Sequence, residues 1–94
     1  MRVVHCKKEP YDVYIGRPTK WGNPYSHLRQ SLAEFRTDTR ETAIARYESY
    51  ARTKVESGEW DLAEIAGKTL GCWCSPKPCH GEILIKLCRE RGLI

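Results

Sequence analysis

No apolar run in this 94-residue chain approaches the roughly 18–20 residues that a membrane-spanning helix requires. The opening residues Met1-Arg2-Val3-Val4-His5-Cys6 also lack the apolar core of an export signal. The expectation that follows is a chain that spans no membrane and resides in the cytoplasm. Internal repeats and low-complexity segments are absent, which excludes solenoids and biased linkers. The cysteine count is odd, at five, so a framework of paired disulfides is a poor account of it. In a reducing compartment such thiols serve as ligands, nucleophiles or core fillers. Acidic residues are in modest deficit, with 12 Asp and Glu against 16 Lys and Arg, for a formal charge of +4. That surplus suits a phosphate-bearing partner but falls short of the basic footprint of a nucleic-acid-binding domain.

What is present is the composition of a folded chain, 40% hydrophobic and 30% charged, sized for one domain with one modest core. Residues 2–6 read as a strand, closed by Lys7-Lys8-Glu9-Pro10, and residues 11–15 as a second strand ahead of Gly16. Residues 26–36 follow neither period. Asp38 with Glu41 three residues on resembles a capping box. Ile44, Tyr47, Ala51 and Val55 then mark one face of a helix over about 39–56, stopped by Ser57-Gly58. A short helix over 59–66 offers Trp60, Ala63 and Ile65 for burial. Residues 69–74 form a third strand pattern, whose alternation puts Cys72 and Cys74 on one face and Trp73 on the other. Trp73 is assigned to the core, with Trp60, Tyr47 and Tyr50. From Cys79 onward Ile83, Leu84, Leu87 and Cys88 recur at helical spacing, with Gly92 as the stop. This order predicts a small single-domain α/β fold, a sheet of three to four strands with packed helices. Its third strand should run parallel to an earlier one through a right-handed helical crossover.

Two stretches carry the chemistry. In Gly71-Cys72-Trp73-Cys74-Ser75-Pro76-Lys77-Pro78-Cys79-His80-Gly81, three cysteines and a histidine fall within nine residues. The prolines end the strand, so Cys79 and His80 sit at a helix amino end, where backbone N–H groups and a positive dipole end are available. Gly16-Arg17-Pro18-Thr19-Lys20-Trp21-Gly22-Asn23-Pro24-Tyr25 is irregular and brings together a guanidinium, an ammonium, an indole and an amide. It is either a ligand-recognising loop or a packed connection anchored by Trp21.

Residues 14–24, Tyr-Ile-Gly-Arg-Pro-Thr-Lys-Trp-Gly-Asn-Pro, resemble one signature of the domain-of-unknown-function family DUF4326. Residues 67–74 with Pro78-Cys79-His80-Gly81 resemble its second signature, and the likeness covers nearly the whole chain. It implies a small phage or bacterial protein and brings no activity with it. The Cys-His pair opening a helix is also similar to the family DUF488, where the second strand cysteine is typically an acidic residue.

Three chemistries compete for the cluster. Cys72, Cys74, Cys79 and His80 are the right ligand types for zinc, yet their spacing departs from the usual two-cysteine knuckle, and no residue is assigned to a metal. Cys79 as a thiolate nucleophile, with His80 as proton carrier, fits a helix amino end, although adjacent residues rarely face each other. A phosphate or nucleotide pocket would use Arg17, Lys20, Trp21 and Asn23 from the loop, with Gly81 letting the ligand come close to backbone N–H groups. The favoured expectation is this last one: a domain that binds, and in some form processes, a nucleotide or other phosphate-bearing ligand between residues 16–24 and the Cys79-His80 helix end. Cys79 and His80 are its catalytic candidates, and no cofactor is named. The competing account is a non-enzymatic interaction module, with or without structural zinc, that binds nucleic acid or a host protein.

Overall fold

The computed structural model describes residues 1–17, 19–26, 35–36, 39–73 and 79–94. Three parallel strands form the main sheet: β1 (Arg2–His5), β2 (Val13–Tyr14) and β5 (Thr69–Cys72), in the order β1-β5-β2. A separate parallel pair joins β3 (Tyr25–Ser26) to β4 (Phe35–Arg36). The helices are α1 (Arg40–Glu56) and α2 (Gly81–Glu90), with a single 3₁₀ turn at Leu62–Glu64. This is the small α/β fold expected, with the third strand pattern placed centrally and parallel to both of its neighbours.

Local chemistry sets the element ends. Thr39, in extended backbone, caps α1 by accepting from the Thr42 N–H at 3.0 Å, with Glu41 in the first turn and Lys54 in the last. The cap is therefore Thr39, one residue later than the Asp38 proposed from spacing; Asp38 itself lies outside the described residues. Gly92, at φ +69°, stops α2 in the left-handed conformation that L side chains avoid. Residues 59–66 are shorter in structure than expected. Asp61 accepts from the Ala63 N–H and opens only the 3₁₀ turn, so Leu62 and Ile65 turn inward and Ala63 outward.

The core gathers Tyr47 and Ala51 of α1, Trp60, Leu62, Ile65, Leu70 of β5 and the inner side of α2. Cys88 is fully buried there, and burial raises its thiol pKa, as for a small apolar side chain. Cys6 is only half-buried. On the outside, Arg52 of α1 joins Glu48 at 2.7 Å and Glu90 of α2 at 2.8 Å, and Lys86 joins Glu48 at 3.2 Å. These bonds hold both carboxyls below their ordinary range.

The two faces of the main sheet are covered differently. A Cβ built at Gly81 would lie 2.6 Å from Val3 Cγ2 and 2.8 Å from Ile15 Cδ1, so the first turn of α2 sits directly on those side chains. Val4, Gly71 and Tyr14, in register with one another and alternating with Val3 and Ile15, face the other way. Trp73 follows Gly71 by two and is 56% exposed. Its assignment to the core is thereby corrected: among the described residues no helix covers that side, so alternation carries Trp73 toward solvent.

The missing side chain of Gly81 leaves the room that Val3 and Ile15 fill. Gly81→Ala should lower stability by about 1–3 kcal/mol, the usual penalty for overpacking a filled contact, since a short Val3 branch cannot swing clear. A chemical denaturation curve with an unchanged midpoint would refute that packing.

Candidate functional site

Cys72 closes the central strand and Cys79 precedes α2, and their sulfurs meet at 2.8 Å. Both are buried, as is His80, the only polar side chain in that class among the described residues. A buried imidazole needs partners for its nitrogens. His80 Nε2 lies 2.7 Å from the carbonyl oxygen of Ile15, at the end of β2. A carbonyl can only accept, so Nε2 carries a proton and Nδ1 is the nitrogen turned toward Cys79. That nitrogen lies 3.5 Å from Cys79 Sγ. The Gly81 N–H also points at Cys79 Sγ, at 3.4 Å. Sequence neighbours thus do face each other here, because His80 occupies the cap position with φ −58° and ψ −20° and its far nitrogen is drawn toward β2. His80 Nδ1, held by the bond to Ile15, and the Gly81 N–H thus both face the Cys79 sulfur.

Tyr47 completes the surroundings. Its ring meets His80 edge-on at 5.0 Å between centroids, and its hydroxyl donates to the Trp21 carbonyl at 2.6 Å. Burial, with lesser contributions from Tyr50 and Cys79, raises its pKa well above the ordinary phenol range, so the hydroxyl stays a donor. Through Tyr47 and His80, Ile15 and Trp21 are tied to the start of α2 at the carboxyl end of the sheet.

The five ligand-binding candidates are engaged within the fold. Arg17 donates from one terminal nitrogen to the Asn23 carbonyl at 2.9 Å. Lys20 pairs with both carboxylate oxygens of Glu64, at 2.8 and 2.9 Å, and lies over the Trp21 ring. Trp21 is 4% exposed and packs on Trp60 at 4.8 Å, the anchor alternative for this loop. The Asn23 amide donates to the Ala43 carbonyl at 3.2 Å, and Gly81 faces Val3 and Ile15. Thr19 turns back on Gly16 through its hydroxyl and its N–H, which makes the loop compact. A shallow groove lined by Glu41, Thr42, Ala45, Arg46 and Ser49 runs along α1 and includes none of the candidates. Cys72, Tyr47 and the Ile15 carbonyl enter the site in ways spacing did not indicate. A backbone oxygen leaves no trace in composition, and the strand pattern marks Cys72 only as a metal-ligand type.

Two thiolates at about 2.3 Å from one tetrahedral ion stand roughly 3.8 Å apart, so zinc would require the Cys72 and Cys79 sulfurs to separate from their 2.8 Å contact. Cys74, the remaining strand cysteine, lies outside the described residues, and no group of three metal-ligating side chains is assembled among those described. Elemental analysis of the purified protein should find clearly less than one zinc per chain, with the thermal transition unmoved by chelator. Stoichiometric zinc whose removal unfolds the domain would reverse this assignment.

The family model for a domain of unknown function, DUF4326, matches residues 2–90. A relative in Enterobacteria phage T4, described as an uncharacterized 12.4 kDa protein in the nrdA-td intergenic region, is 38% identical over 86 residues. That alignment covers 88% of this chain and 72% of the phage protein. No solved structure matches. Both signature stretches fall inside the matched span, and the chain belongs to the DUF4326 family.

Proposed function

We propose that this domain binds a nucleotide or other phosphate-bearing ligand at the carboxyl end of its parallel sheet, and that Cys79, with His80 as its base, acts on that ligand. The observation that carries the reading is the double engagement of the His80 ring, bonded to Ile15 on one side and facing Cys79 on the other. It brings the two signature stretches to a single group. In the reaction the thiol proton passes to Nδ1, and the thiolate bonds to an electrophilic centre of the ligand. The leaving group takes the proton from Nδ1, and water then releases the sulfur. The Gly81 N–H and the amino end of α2 favour the charged sulfur.

Three further features support a phosphate-bearing ligand. Open α/β sheets hold ligands at the carboxyl ends of their strands. Arg17 stands where the loop leaves β2, with one terminal nitrogen on Asn23 and the rest of its five-donor fork suited to an oxyanion. The chain's net charge is +4. A nucleophile that works as a free thiol also suits the reducing cytoplasm.

The test is calorimetric titration against a panel of nucleoside mono- and diphosphates and inorganic phosphate, followed by product analysis with the best binder. Arg17→Ala should weaken binding about tenfold or more, the effect of one lost hydrogen bond to a charged group, and lower the melting temperature by only about 5 °C through loss of the bond to Asn23. Cys79→Ser should bind and not turn over. Turnover by Cys79→Ser at the native rate would remove the thiol from the mechanism. If no phosphate-bearing compound in the panel binds, the ligand class is wrong.

A further inference from the structure

The face of the sheet away from α2 carries a contiguous aromatic layer, which no helix covers among the described residues and which the thiol site does not use. Tyr11 lies flat against Gly71, where a Cβ would come within 2.6 Å of its Cγ. Only glycine at position 71 admits the ring onto the central strand. Tyr14 neighbours Tyr11 at 6.1 Å between centroids, and its hydroxyl accepts from the Trp73 indole N–H at 2.8 Å. Beneath these rings Val4 is 1% exposed although it stands outside the main core cluster. The rings are themselves open to solvent, with Tyr11 42% and Trp73 56% exposed.

A large exposed indole costs solubility, and this one is held rather than loose. The bond to Tyr14 fixes its orientation, and His5 braces it edge-on at 5.6 Å. Lys7, from the turn after β1, places its ammonium 5.4 Å from the indole centroid. Neither Lys7 nor its neighbour Lys8 has an acidic partner within ion-pair distance among the described residues, while Arg2 is matched by Glu9. The surface therefore joins preset π faces to uncompensated positive charge along one edge. A purely apolar partner would leave those ammonium groups unmatched.

We infer that this face is a stacking platform for single-stranded nucleic acid. Bases lie on Trp73 and Tyr11, and the backbone passes Lys7 and Lys8. Flat rings fixed on a sheet, with flanking cations, recognise unpaired bases without reading their sequence, because every base has a π face and every nucleotide a phosphate. The modest net charge fits this mode, which leans on stacking more than on a broad basic surface. The inference does not depend on the thiol chemistry, since none of these side chains touches Cys79 or His80 in the contacts described above.

The test uses the full chain and fluorescein-labelled oligothymidylate and oligouridylate of about 12 nucleotides, followed by anisotropy. Both strands should bind, and a difference between them tells which sugar is preferred. Trp73→Ala and Tyr11→Ala should each weaken binding about tenfold, and Trp73→Phe should recover most of the loss. Two phosphate contacts predict a shallow salt response, about sevenfold between roughly 50 and 200 mM, which Lys7→Ala should about halve on a logarithmic scale. Cys79→Ser should bind the strands as the native chain does, which separates this platform from the thiol site. The proposal is overturned if neither strand binds at the lower salt, if both aromatic variants bind as the native chain does, or if thymidine monophosphate displaces the labelled strand as effectively as the unlabelled strand does. Sedimentation showing a dimer that disperses on Trp73→Ala would assign the face to a second copy instead.

Discussion

The hydrogen bond from His80 Nε2 to the Ile15 carbonyl constrains the whole carboxyl end of this domain. A buried imidazole left without a partner is costly, and the ring meets the carbonyl of the residue just after β2. That bond decides the tautomer and thereby which nitrogen faces Cys79. It also ties the start of α2 to the loop that leaves β2. Tyr47 reinforces the same junction from α1, with one side of its ring against His80 and its hydroxyl on the Trp21 carbonyl. Three segments distant in sequence are locked around one thiol.

Two glycines set how closely this assembly packs. Gly81 lets the first turn of α2 press onto Val3 and Ile15, which is what brings His80 within reach of the Ile15 carbonyl. Gly71, on the opposite face of the sheet, admits Tyr11 onto the central strand. The outcome is a sheet with a helical side and an aromatic side. The Cys79 sulfur lies with the helical side and the exposed rings with the other.

Much of the fold was legible from period and punctuation. The strand residues of β1 and β5, the buried positions of α2 and the glycine that stops it all follow from spacing that solvent and core enforce. The central, parallel position of β5 was anticipated in orientation though not in strand order. Trp73 was misplaced because an aromatic residue in a strand suggests burial, whereas burial depends on whether a layer covers that face. At the site, Cys79 and His80 stood out as residue types at a helix start. Their mutual approach did not, because it depends on a backbone carbonyl contributed from more than sixty positions away. The partner of Lys20 was hidden for a similar reason: Glu64 lies 44 residues on and is brought near only by the 3₁₀ turn. Cations that look unmatched in a loop are often matched by the fold.

The tautomer of His80 tests this account most directly. Long-range proton–nitrogen NMR correlation on the nitrogen-labelled Cys79→Ser variant, which removes proton exchange with the thiol, reads the ring at neutral pH. The account predicts a neutral imidazole with its proton on Nε2 and a bare Nδ1. A proton on Nδ1 with Nε2 bare would contradict it, since the Ile15 carbonyl would then have no donor and Cys79 no base.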